Sequence, residues 1–344
     1  MGTNRNHEKW LAKVAEDPID ASVPIIDAHH HLWLGYDAVV PWQPDYLHNE
    51  FASDLDSGHN IVATVYVECG FSYKQDAPDN FRPIGETERI TRFAQEFRSK
   101  TGSATKVCAA ISAHANLATG SQIESVLAAH KEASAGRVKG IRQIANWDPD
   151  EAVRYPGVSI PQGLLLSDKF HQGYATLGRH DLLFEAWLFH PQIPELAPLA
   201  AKFPDTRLVI NHFGGPVGIG QYSGQADAVF SQWRNDITKL ASYPNTYMKL
   251  GGIGMEHSGF GWHHRECPPT SDEIVEATQR YYHHAIEIFG PERCMFESNA
   301  PVDKISYSYS VLWNAFKKIA ARYSSSEQRE MFFGTAKQVY DLDV

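Results

Sequence analysis

Imidazoles collect where apolar runs stop. The stretch Pro24-Ile25-Ile26-Asp27-Ala28-His29-His30-His31 carries a short apolar strand straight into three histidines. Side chains alternate faces along a strand, so His29 and His31 share a face and His30 takes the other. Two neutral imidazoles on one face can hold a divalent metal or polarise a bound carbonyl group. Trp187-Leu188-Phe189-His190 and Val209-Ile210-Asn211-His212 repeat the device, each ending an apolar run in a histidine. Taken singly, such a histidine is more often a hydrogen-bonded structural residue. Brought together, His29, His31, His190 and His212 would line one mouth and form a functional site there.

Convergence needs a frame that gathers strand ends. Runs rich in Val, Ile and Leu recur at 25–29, 61–68, 106–112, 138–144, 182–189, 207–211, 246–250 and 293–297. Amphipathic helical patterns lie between most of them, at 84–100, 122–133, 193–203, 226–242, 271–288 and 312–321. Alternating strands and helices in this number predict an α/β fold, a (β/α)8 TIM barrel. We expect one barrel domain over 21–344, with residues 1–20 a polar leader forming a surface helix. Two irregular insertions, 34–50 and 251–270, follow the first and seventh strands on the face where barrel enzymes place their chemistry.

Composition narrows the partners. With 41 acidic against 31 basic residues and a net charge of −10, the chain lacks the basic footprint of a nucleic-acid or anionic-membrane binder. Cys69, Cys108, Cys267 and Cys294 are widely spaced without a Cys-x-x-Cys pair, which predicts a reducing, cytoplasmic setting. No stretch has the length of a membrane span. The expected partner is a small, anionic molecule, with a homodimer as the expected assembly. Arg142 would hold its carboxylate in two parallel hydrogen bonds, unless it forms an ion pair inside the barrel. Tyr73 and Lys74 would reach the same group, although Lys74 also suits a solvated loop. Trp33, Trp147, His257, Trp262 and His263 would wall the substrate, with 251–270 acting as a lid.

The blocks Ile26-Asp27-Ala28-His29-His30-His31-Leu32-Trp33, Gly140-Ile141-Arg142, His190-Pro191-Gln192, Asn211-His212-Phe213-Gly214-Gly215 and Met295-Phe296-Glu297-Ser298-Asn299-Ala300-Pro301 carry a resemblance. They resemble the amidohydrolase superfamily, and within it the amidohydrolase-related branch of lactonases and non-oxidative decarboxylases. The resemblance implies that His29, His31 and His190 surround a divalent metal, zinc for preference, and that a lactone or related carbonyl compound is hydrolysed in a catabolic route. One position departs from the pattern: the family's last strand ends in a Ser-Asp-x-Pro-like turn, and Asn299 stands where the Asp is expected. An amide is no general base and a weak metal ligand, so the metal becomes open, bound or absent. Glu297, two residues earlier on the same face, would be the reserve carboxylate, or else a buried acid paired with Arg142 or Lys249.

The expected activity is opening of a lactone in a small organic acid by water. His29 and His31 would polarise the carbonyl, His190 would ligate or orient, His212 would relay a proton, and Asn299 would donate a hydrogen bond. The alternatives are a metal-dependent decarboxylase of an aromatic acid and a non-catalytic binding protein on the same barrel.

Overall fold

The computed structural model describes residues 2–36, 40–155 and 159–344. Eight parallel strands, β1 (Ile25–His30), β2 (Ile61–Val67), β3 (Lys106–His114), β4 (Val138–Ile144), β5 (Leu183–Trp187), β6 (Leu208–Ile210), β7 (Thr246–Leu250) and β8 (Cys294–Phe296), pair in sequence order. The seam between β8 and β1 is stitched past the strand ends: Asn299 N–H donates to His29 O at 2.9 Å and His31 N–H to Ala300 O at 2.7 Å. The expected TIM barrel is therefore present, nearly closed.

Around it run α1 (Gly2–Leu11), α2 (His48–Leu55), α3 (Ile84–Thr101), α4 (Glu124–Ala133), α5 (Asp168–Arg179), α6 (Ala197–Lys202), α7 (Ala226–Ala241), α8 (Ser271–Phe289), α9 (Tyr309–Ala320), α10 (Ser325–Arg329) and α11 (Thr335–Val339). The helix expected at 193–203 is shorter than its pattern. Pro194 lacks the N–H an α-turn needs, so His190–Leu196 winds as 3-10 and only Ala197–Lys202 is α-helical. α5 and α2 were not foreseen; α2 begins inside the stretch read as an insertion, of which 37–39 lie outside the described residues.

Ile26, Ala28, Ala63, Val65, Val209 and Met295 pack with Ala336, Val339 and Tyr340 of the C-terminal segment, which plugs the lower end of the barrel. Register between β1 and β2 shifts between Asp27 and His30. That irregularity allows Ala28 to face this interior while His29, its neighbour, meets interior groups as well. His30 turns outward, stacking on Phe51 of α2 with ring centroids 4.4 Å apart.

Candidate active site

Seven strands or their ends contribute polar side chains above the apolar plug. β1 ends in His29 and His31, whose Nε2 atoms are 3.1 Å apart. His31 Nδ1–H donates to Val67 O at 2.8 Å, leaving Nε2 as a lone pair toward the cavity. Beyond β8, Glu297 reaches two imidazoles: Oε1 is 2.6 Å from His212 Nδ1, and Oε2 is 2.9 Å from His29 Nδ1, though poorly aligned for a hydrogen bond. Burial pushes the Glu297 carboxyl up to about 8, and burial holds His29, His31 and His212 well below the usual imidazole range. The histidines are thus neutral, with lone pairs available to accept hydrogen bonds or bind a cation.

The two pairings offered for Glu297 are not what forms. Lys249 Nζ instead donates to Glu185 Oε2 at 2.6 Å and lies 3.3 Å from His29 Nδ1, while Arg142 Nε donates to Glu68 Oε1 at 2.6 Å and a terminal nitrogen of the same guanidinium meets Glu68 O. Arg142 Nε and one terminal nitrogen are therefore committed within the protein, which is the ion pair offered as the other reading of this residue.

His212 is held in an unusual backbone. Its φ is +53° and that of Phe213 +58°, both in the left-handed region that costs a side-chain-bearing residue roughly 1–3 kcal/mol. Gly252, at φ +69°, passes so close that a Cβ there would lie inside the His212 ring. Only glycine lets the chain after β7 press His212 against Glu297.

Asn299 gives one amide N–H to Asp303 Oδ1 at 2.8 Å. Asp303 also accepts from Gly254 N–H and Tyr307 O–H, and burial raises it to about 7. Asp27, buried below His29, accepts from Ser298 N–H at 2.8 Å, Ser298 Oγ–H at 2.6 Å and Tyr309 O–H at 3.0 Å, locking the β8 end to β1.

These groups open into a cavity of about 510 Å³, whose lining includes His31, Trp33, Arg142, His212, His257 and Asn299. Other expected residues lie elsewhere. His190 accepts from Val217 N–H at Nδ1 and sets its ring against Tyr222, while the ligand atoms that fall within 4.8 Å of one another belong to His29, His212 and Glu297. His190 sits three residues beyond the end of β5, where the chain has already turned, so the expected trio His29, His31 and His190 is corrected. Lys74 pairs with Glu88 at 2.6 Å on the surface, Trp147 lies under Arg154, Trp262 stacks on Phe260 and His263 lies tilted against His264. Tyr73 is absent from the cavity lining among the described residues, although burial raises its phenol beside Glu68 and Arg142.

Sequence reading missed Glu185, Tyr155, Trp187 and Met255. Glu185 carried a signal: a charge in the middle of Leu183–Trp187 must face another charge inside a barrel. The donor set of His29, His212 and Glu297, two neutral imidazoles and a carboxylate oxygen without a hydrogen bond, fits a divalent cation.

A model of the amidohydrolase family matches residues 26–342. An uncharacterised protein of Sinorhizobium fredii, y4mH, is 30% identical over 336 residues, covering 93% of this chain and 99% of that one. L-fucono-1,5-lactonase of Burkholderia multivorans is 28% identical over 174 residues, 50% of this chain and 56% of its own. The crystal structure of an amidohydrolase from Burkholderia multivorans with bound zinc shares the fold, with a TM-score of 0.67, 22% identity and coverage of 92% of this chain and 99% of that one.

Proposed function

Since the chain belongs to the amidohydrolase family, we propose that it is a hydrolase that opens a lactone ring with water at the C-terminal mouth of the barrel. The lactonase named among its relatives supports the reaction class. The observation that carries the reading is the 2.6 Å contact between Glu297 Oε1 and His212 Nδ1, with His212 lining the cavity.

Above about pH 8, where Glu297 is ionised, its carboxylate on Nδ1 fixes the imidazole tautomer and leaves Nε2 as the base, the division of labour of any carboxylate-backed histidine. His212 Nε2 takes a proton from water as its oxygen adds to the lactone carbonyl carbon. Negative charge develops on the carbonyl oxygen, and the Asn299 N–H not spent on Asp303 donates to it. The ring C–O bond then breaks, and His212 returns the proton to the departing alkoxide, giving a hydroxy acid. Arg142 and Glu68 set the shape of the opposite wall. A divalent cation held by His29, His212 and Glu297, zinc by the nature of these donors, would occupy the His212 lone pair and supply Lewis-acid polarisation of the carbonyl in place of proton abstraction by that imidazole.

Four free cysteines support a cytoplasmic setting, and no helix among the described residues is long and apolar enough to cross a membrane. The reading is tested by following proton release from a panel of γ- and δ-lactones. Stoichiometric ring opening without gas is the expected result; carbon dioxide from an aromatic acid, with no lactone opened, would overturn it.

A further inference from the structure

The walls of the cavity say what the lactone carries, an inference that rests on the lactonase reading. The chain after β1 brings Trp33, Tyr36 and Trp42 to the cavity, β5 ends there with Trp187, and the turn after β8 adds Val302 and Ile305. Trp33 and Tyr36 stack with centroids 5.2 Å apart and planes 9° from parallel, making one flat aromatic wall. Their polar atoms face away from a ligand's needs: Trp33 Nε1–H donates to Gln43 O at 2.8 Å and Tyr36 O–H to Cys69 O at 3.1 Å.

Polar groups at the strand ends are half committed to the protein, and the atoms they leave free, His31 Nε2, His212 Nε2 and the second Asn299 N–H, are those the ester carbonyl and the attacking water use. His31 gives Nδ1–H to Val67, Arg142 is held by Glu68, and His212 by Glu297. The Arg142 charge is cancelled by a carboxylate as buried as itself, each 5% exposed, and Glu256 at the rim is acidic. Each hydroxyl of a sugar lactone would give up water here, and away from the strand ends the buried lining atoms without a partner among the described residues are Trp42 Nε1–H and His257 Nε2, too few for the several hydroxyls of a sugar. A substrate carboxylate would meet no unmatched cation among them either.

We infer that the substrate is an uncharged lactone bearing an apolar or aromatic substituent, which lies against Trp33, Tyr36 and Trp42 while the ester carbonyl sits over His31 and His212. A sugar lactone, the substrate class in the name of the Burkholderia multivorans relative, does not suit this lining.

Hydrolysis-inert δ-lactams test it by calorimetry: one phenyl-substituted, one polyhydroxylated, one carboxylate-substituted and one bare. The phenyl lactam binds at least about tenfold tighter than the hydroxylated and carboxylate ones. Trp42→Ala weakens the phenyl lactam about tenfold and leaves the bare ring within about twofold, because it removes wall area and not the strand-end groups. Equal or tighter binding of the hydroxylated or carboxylate lactam, no binding of the phenyl lactam, or an unchanged phenyl affinity in Trp42→Ala would each overturn the inference. Failure of the lactonase reading shows separately, as no hydrolysis of any lactone, in a readout the binding comparison does not use.

Discussion

Glu297 stands one layer deeper in the barrel than Asn299, and its side chain is one methylene longer than the aspartate the family pattern expects at the tip. Those two displacements offset each other, so the carboxylate arrives beside His212 and His29 despite the amide at 299. The i, i+2 spacing that puts Glu297 on the face of Asn299 was visible in the sequence. Its partner was not, because His212 reaches it through a left-handed backbone that no hydrophobic pattern encodes. His190 shows the converse: an apolar strand followed by a histidine reads as a site residue, but the 3-10 turn after β5 carries it to Tyr222. Replacement of His190 by Ala is therefore expected to leave turnover within about tenfold of the wild type, whereas His31→Ala, at the cavity, costs at least about a hundredfold. Steady-state kinetics on one responsive lactone separates the two, and equal losses would contradict this placement.

At the scale of elements, β4 and β7 match their sequence-predicted bounds, and the other strands are displaced by a residue or two at their ends. Fully buried strands read clearly because both faces are apolar. α5 was hidden by Gly173 in mid-helix, yet the glycine is there for packing: a Cβ would collide with the backbone of Leu117 in the turn below. Its cap was legible in retrospect, since the Ser167 hydroxyl accepts from Phe170 N–H. Helix docking also depends on a buried histidine. His130 of α4 bridges Thr87 of α3 and the His114 carbonyl of β3, and burial lowers it from 6.5 to about 4. Because the folded state disfavours its protonation, this group contributes stability in full above about pH 6.5 and loses it as pH falls toward about 4. Denaturant melts at pH 7 and pH 4.5 should show the advantage of wild type over His130→Gln shrinking in acid, by on the order of 3 kcal/mol at most. A gap that stays constant or widens in acid contradicts the assignment.

Over the whole molecule, the barrel is closed below by its own C-terminus and opened above by loops, with ions buried between. Lys249, Glu185 and the Tyr340 hydroxyl form that middle layer, Tyr340 donating to Glu185 Oε1 at 2.7 Å from the C-terminal segment. The βα alternation made the barrel legible, whereas the plug was not, because α11 is only five residues long and lacks a helical run of its own. Replacing Lys249 with Met strands Glu185 without its cation, and urea unfolding should register a loss of about 3–5 kcal/mol; a loss under about 1 kcal/mol would mean the pair does not hold the layer together. The central claim is that His212, backed by Glu297, takes the proton from water during lactone opening. It is tested most directly by kcat for lactone hydrolysis above about pH 8, where Glu297 is ionised, in Glu297→Gln, which keeps the shape and removes the charge. The account predicts a fall of at least about a thousandfold with an unchanged circular dichroism spectrum; turnover within about tenfold of wild type would contradict it.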